Sequence, residues 1–303
     1  MSNIDYSLLN ERFGLRGEVA FKEGAGGLGV VEVSNSHATA ALVLQGGHLI
    51  HWAPRSQPPV IWLSRAAKFG PGKSIRGGVP VCWPWFGPHS GDASLPAHGF
   101  ARTIPWEVTA TQTLPNGATR LSVHLVSSDA TRAAWPYSTE LMLHITVGTT
   151  LEMDLVTRNA SNEMVALGQA LHTYFEVGDV RRIKIHGLGG CEYIDKVDGC
   201  ARKVQSGPVT IAAEIDRIYL GSTADCLIDD PQLRRRIRIA KGGSRSTVVW
   251  NPWIEKAARM GDLGENGYLN MVCVESANAA DDVVTLAPGT EHRLWVRYAV
   301  EGL

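Results

Sequence analysis

The sequence has no surplus of charge of either sign: 29 lysines and arginines stand against 30 aspartates and glutamates, for a formal net charge of −1. No global field therefore draws it to nucleic acid or to an anionic membrane, and small molecules are the expected partners. Cysteine is sparse and scattered. Cys82, Cys191, Cys200, Cys226 and Cys273 are odd in number and never spaced as CxxC, which argues against a disulfide framework and a zinc site. They read as free thiols in a reducing compartment. No apolar run approaches the roughly 20 residues that a membrane span needs. Met1 to Gly14 carries Asp5, Asn10 and Glu11 where a signal peptide would hold its apolar core, so cytoplasmic residence is the expectation. Linkers rich in Pro, Ser or charge, low-complexity tracts and repeats are also missing. With 303 residues, 44% of them hydrophobic, the chain is expected to form one domain over 1–303.

Helical periodicity is scarce too. Only Ser7 to Phe13 and Asn251 to Met260 read as helices, the second with Asn251 at the cap, Pro252 at the first helical position and Gly261 as the stop. What is plentiful is short alternating or β-branched runs closed by turn residues. They predict strands over Leu28 to Val33, Thr39 to Leu44, Thr119 to Ser127, Glu140 to Thr146, Leu151 to Arg158, Ile183 to His186, Val209 to Ala213, Arg236 to Ala240, Ser246 to Trp250 and Glu291 to Val300. The expected fold class is all-β: a large antiparallel β-sandwich with few short helices. Gly24 to Gly29 superficially matches a dinucleotide-binding glycine loop, but a β-branched strand follows where that motif requires a helix, so a hairpin turn is expected. Arg234 to Arg238, a basic cluster, is expected to be a solvated strand face.

The most unusual stretch is Ser74 to Arg102, which combines Gly77, Gly78, Pro80, Pro84, Pro88 and Pro96 with Trp83, Trp85 and Phe86. Such a composition fits neither a regular strand nor a helix, and a long ordered connection of this kind usually carries function. Here Arg76-Gly77-Gly78-Val79-Pro80, Trp83-Pro84-Trp85-Phe86-Gly87 and His98-Gly99-Phe100-Ala101-Arg102 resemble the aldose 1-epimerase superfamily, in its hexose-6-phosphate mutarotase branch. Leu171-His172-Thr173-Tyr174-Phe175, Asp216-Arg217-Ile218-Tyr219, Trp250-Asn251-Pro252-Trp253 and Val272-Cys273-Val274-Glu275 follow in the order and approximate spacing of that branch. The resemblance spans Gly46 to the C-terminus. It implies the galactose-mutarotase β-sandwich, no metal and no cofactor, and glucose-6-phosphate 1-epimerase activity on a hexose-6-phosphate.

It also implies roles. His172 and Glu275 match an acid/base pair, and opening a cyclic hemiacetal needs both: a proton leaves the C1 hydroxyl while another reaches the ring oxygen. On local sequence alone, His172 would be a core histidine and Glu275 a strand-end carboxylate. Arg76 and Arg102 resemble a phosphate grip, since a guanidinium offers paired donors to phosphate oxygens; surface charge or loop-closing ion pairs are the alternative. His98 resembles a substrate-contacting histidine or a brace for the loop. Asp216 resembles an aspartate that orients sugar hydroxyls, or it is a turn residue. His48 and His51 are not expected to share a metal, and Cys273 reads as a small core hydrophobe. Two other functions compete. A mutarotase for unphosphorylated aldoses would have no need of two arginines, and a non-catalytic carbohydrate-binding sandwich would use Trp83, Trp85 and Trp253 as stacking platforms. Nothing in the pattern specifies an oligomeric state.

Overall fold

In the computed structural model, which describes residues 4–303, strands dominate and only three short α-helices occur. One eight-stranded sheet runs, in spatial order, Ala201–Val204, Glu192–Asp195, Ile215–Tyr219, Ser246–Asn251, Met271–Asn278, Gln169–Leu171 and Val81–Cys82. Tyr174–Glu176 also pairs with Met271–Asn278. A second eight-stranded sheet runs Lys184–His186, Cys226–Asp230, Arg235–Gly242, Glu291–Gly302, Leu151–Asn159, Thr139–Val147, Thr119–Leu125 and Trp106–Thr113. A four-stranded antiparallel meander, Val19–Glu23, Gly29–Ser34, Ala38–Val43 and His48–Pro54, precedes them.

Alternation explains why these strands form a sandwich. Leu141, Leu143, Ile145 and Val147 are buried while their neighbours are partly exposed, and the same holds for Leu151, Met153 and Leu155. Val272, Val274 and Phe175 of the first sheet and Leu294, Val296 and Tyr298 of the second join one apolar cluster. Polar ties cross it: Thr173 Oγ1 lies 2.6 Å from Tyr298 Oη, and Trp83 Nε1 donates to Thr157 Oγ1 at 3.1 Å. The all-β sandwich reading therefore holds.

Several local expectations need correction. The second helix begins at Trp253, because Asn251 remains in its strand opposite Ile215 and caps from there by accepting the Trp253 N–H at 2.9 Å. Gly261 ends it in the left-handed region as expected. A helix at Asp129–Ala134, capped by Ser128 and Thr131, was not anticipated. Val209 to Ala213 makes only a single bridge, Val209 to Ile185. In the basic cluster, Arg236 and Arg238 form the paired outer face, but Arg235 points inward and donates to the carbonyls of Pro58, Pro59 and Glu176. Gly24 to Gly29 is a hairpin connection, with a short 3-10 turn at Ala25–Gly27.

Candidate active site

The outer side of the first sheet carries a cavity of about 390 Å³, roofed by the Ser74 to Arg102 segment and the helix Trp253–Met260. That segment is irregular but pinned. Leu49 bridges to Val79, Leu63 to Gly77 and Trp83 to Gly99, while Val81–Cys82 pairs with Ala170 and Leu171. Two of its glycines are structural necessities: a Cβ on Gly99, at φ 70°, would lie 1.9 Å from the Trp83 carbonyl oxygen. One on Gly78, also at φ 70°, would meet the Leu49 carbonyl oxygen at 2.5 Å.

His172 and Glu275 meet on the cavity floor. In Met271–Asn278, Val272 and Val274 enter the inter-sheet core, so Cys273 and Glu275 point the other way. His172 sits between Gln169–Leu171 and Tyr174–Glu176, with its backbone N–H donating to the Pro80 carbonyl at 3.0 Å. His172 Nε2 lies 3.3 Å from Glu275 Oε1, and Glu275 is only 1% exposed. Glu275 Oε2, also buried, has no protein partner among the described residues. Burial first, then Asp216, pushes the Glu275 carboxyl well above its ordinary range, against the opposing pull of Lys196 and Arg102. Burial, helped by His98, Arg102 and Arg76, holds the His172 imidazole well below its own. The pair thus favours holding a single proton with no net charge.

His98 lines the cavity, its ring 5.8 Å from that of His172 and 4.8 Å from Phe86. Gly87 N–H donates to its Nδ1 at 3.3 Å, and burial followed by Arg102, Lys196 and Arg76 pulls its pKa down to about 3. A neutral ring whose Nδ1 accepts carries its proton on Nε2, so His98 is a hydrogen-bond donor. It also braces the loop through that Gly87 contact.

Arg76 and Arg102 both line the cavity. Arg76 Nε donates to Asp262 Oδ1 at 3.0 Å and Nη1 to Tyr174 Oη at 2.9 Å. Burial pulls the Arg76 guanidinium down, yet Tyr174 and Asp262 outweigh it and leave its pKa above the ordinary value. Arg102 donates to the Ala97 carbonyl at 3.0 Å, and among the described residues no carboxylate comes within ion-pair reach of it. Asp216 is not in a turn. It lies within Ile215–Tyr219 opposite Trp250, lines the cavity, and has Lys196 Nζ at 3.5 Å and Lys256 Nζ at 3.9 Å.

Lys196 and Lys256 also line the cavity, as do Trp250 and Phe86. Of these, the loop composition pointed to Phe86 alone; sequence reasoning missed Lys196, Lys256 and Trp250 as site residues, and Asp262 and the hydroxyl of Tyr174 as well. The lysines carry no local signal, because register and a helix bring them in. Trp83 and Trp85 are core residues, 2% and 9% exposed, with Trp83 bound to Thr157, so they cannot be sugar platforms. Trp253 packs against Tyr268. His48 is buried and bonded to the Gly77 carbonyl, whereas His51 reaches Thr39. The donor atoms of His172, Cys273 and Glu275 lie within 4.8 Å of one another, the closest approach to a metal-ligand cluster among the described residues. Burial pushes the Cys273 thiol well up, however, and the thiol does not line the cavity.

The profile of the family described as aldose 1-epimerase matches residues 29–299. A candidate glucose-6-phosphate 1-epimerase of Escherichia coli (strain K12) is 39% identical over 255 residues, covering 84% of each chain. A candidate of the same kind from Cenchrus ciliaris is 34% identical, over 84% of this chain and 79% of that one. The crystal structure of a candidate mutarotase from Salmonella typhimurium superposes with a TM-score of 0.89 at 34% identity, covering 98% of this chain and 100% of that one.

Proposed function

From its membership of the aldose 1-epimerase family, we propose that the chain interconverts the α and β anomers of a hexose-6-phosphate, acting as a glucose-6-phosphate 1-epimerase. The observation that carries the reading is the union, in one cavity, of the His172–Glu275 contact at 3.3 Å with Arg102, a cation that no carboxylate neutralises among the described residues. An acid/base pair alone would serve any aldose; the arginines supply a reason for the phosphate.

The chemistry is a proton relay without redox change. Glu275, as the carboxylate, takes the proton from the C1 hydroxyl, the C1–O5 bond breaks, and His172, as the imidazolium, gives its proton to O5. The open-chain aldehyde turns about C1–C2. His172 then takes the proton back from the C5 hydroxyl as O5 attacks the other carbonyl face, and Glu275 returns its proton to the C1 oxygen. One proton shared by the pair is enough for the whole cycle. The resting distribution, carboxyl and neutral imidazole, shifts to carboxylate and imidazolium by a transfer across the 3.3 Å contact. Phosphate at Arg76 and Arg102 offsets two of the cations that keep His172 neutral. His98 and Asp216 supply a donor and an acceptor for ring hydroxyls, with Lys196 and Lys256 beside Asp216.

Saturation-transfer NMR between the anomeric signals tests the reading. Exchange for glucose-6-phosphate should rise far above the uncatalysed rate, and far above that for glucose. Preference for unphosphorylated glucose would transfer the assignment to a neutral-sugar mutarotase, and no exchange with either would reject enzymatic function.

A further inference from the structure

The phosphate-binding and proton-transfer residues come from different parts of the chain, yet one buried side chain touches both. Tyr174 is 2% exposed. Its hydroxyl accepts from Arg76 Nη1 at 2.9 Å, and its ring stacks on His172 with centroids 5.1 Å apart and planes 13° apart. On its other side lies Trp62, at 5.9 Å and 18°, and the edge of Trp250 closes on both Tyr174 and His172 at 6.0 and 6.1 Å. The backbone repeats the link: Tyr174 N–H donates to the Gly78 carbonyl and His172 N–H to the Pro80 carbonyl, both at 3.0 Å, in the irregular stretch that follows Arg76.

We propose that Tyr174 is a positioning residue that holds the anion-binding guanidinium of Arg76 and the imidazole of His172 in register with each other. The proposal rests on the function argued above for the identity of the two groups it connects. Packing alone does not account for the side chain, because a phenylalanine would fill the same apolar slot. A buried hydroxyl is costly without a partner, and Arg76 is the partner this one has. Arg76, in turn, is held on two edges, by Asp262 through Nε and by Tyr174 through Nη1, which leaves Nη2 free to face a ligand. The imidazole is aligned by the flat face of the same ring. Ring and hydroxyl therefore have separable jobs, and a substrate whose phosphate draws on Arg76 has its anomeric centre registered against His172.

Two substitutions separate the jobs. Tyr174→Phe keeps the stack and removes the hydroxyl. It should raise KM for glucose-6-phosphate about tenfold relative to KM for glucose while kcat moves by less than about twofold. Tyr174→Leu removes the flat face, and kcat should fall about tenfold or more with both sugars, a loss that Tyr174→Phe does not show. The His172 Cε1–H resonance of the free protein supplies a readout independent of turnover. Ring current from the stacked tyrosine displaces it in the wild type and in Tyr174→Phe, and it should relax toward the ordinary position in Tyr174→Leu. Unchanged KM in Tyr174→Phe overturns the link to Arg76. An unmoved His172 resonance or an unchanged kcat in Tyr174→Leu overturns the link to His172. If Tyr174→Leu does not fold, the isosteric Phe variant still decides the proposal through its split between KM and kcat. If the wild type exchanges neither sugar, the functional reading fails, and phosphate-induced perturbation of the Arg76 Nε–H signal, lost or kept in Tyr174→Phe, decides the proposal.

Discussion

The outer faces of the two large sheets use the same residue types in opposite ways. On the second sheet, charges stand in cross-strand pairs open to solvent: Arg293 with Asp154, Arg297 with Glu152, and Arg158 with Glu140. The arginine of each of these pairs has its carboxylate and is at least half exposed. On the first sheet, the Ser74 to Arg102 segment and the helix Trp253–Met260 line a cavity over the face. There Glu275 is buried beside a histidine instead of a cation, and Arg102 has no carboxylate among the described residues. Exposed pairs contribute little to stability and need no ligand. Buried or uncompensated charge is costly, and it persists where a substrate completes it. A solvated face and a site are told apart by what each charge lacks.

The sharpest way to break the contrast is to remove the buried carboxylate. Glu275→Gln is nearly isosteric, but an amide cannot accept the C1 hydroxyl proton, so anomer exchange should fall by about two orders of magnitude or more. Far-ultraviolet circular dichroism should remain that of the wild type. Near-normal exchange in the folded variant would remove Glu275 from the mechanism. Next in size is Arg102→Ala. One lost charge-assisted contact is worth about 1.5–3 kcal/mol, so KM for glucose-6-phosphate should rise about ten- to a hundredfold, with glucose turnover little altered. An equal loss with both sugars would mean that Arg102 only ties down Ala97 and the loop.

How much of this was legible follows from the range over which each feature is encoded. Strands such as Thr139–Val147 declare themselves through alternation within the segment. Asp129–Ala134 does not, being too short for a period to register; its signal is the Ser128 to Thr131 capping pair. Val209 and Ile211 are buried in the alternation of a strand, but no partner strand is placed beside them beyond one bridge. Arg235 shows that alternation predicts which way a residue points, not whether a charged one is solvated. In the site, Arg76, His98 and Arg102 share one stretch of unusual composition. Lys196, Lys256 and Asp262 come from a turn after a strand, a helix and a loop, and only long-range folding gathers them. Asp216 could not be separated from a turn residue until its pairing with Trp250 was seen.

Acidity offers a finer measure of the same contrast. The pair is competent with one proton. Activity is lost as pH falls through the His172 pKa, where a second proton binds, and as it rises through the Glu275 pKa, where the last one leaves. The imidazole is held below its usual value by burial and by His98, Arg102 and Arg76, and the carboxyl above its own by burial and Asp216. The acid limb should therefore lie below about pH 6.5, the ordinary histidine value. Measuring kcat/KM with glucose keeps the substrate phosphate out of the titration. Arg102→Ala removes one cation beside His172 and should move that limb upward. A limb at or above the ordinary value in the wild type would mean that the imidazole is solvated in the working enzyme.

The smallest effect belongs to the other face. Arg297→Ala removes the partner of Glu152, a pair with side chains 54% and 38% exposed. Water replaces the lost contact on both sides, so stability by urea unfolding should change by no more than about 0.5 kcal/mol, and exchange rates for both sugars should not change. The null result is informative because Arg297 and Arg102 are the same residue type, one on the outward face of a strand and the other on the segment that lines the cavity. A loss of exchange in Arg297→Ala would show that the second face communicates with the cavity through the shared core, where Val296 and Tyr298 of the same strand lie. A loss of several kcal/mol would show instead that the exposed ladder is a cooperative network. Either outcome would erase the distinction between solvated and uncompensated charge on which the site assignment depends.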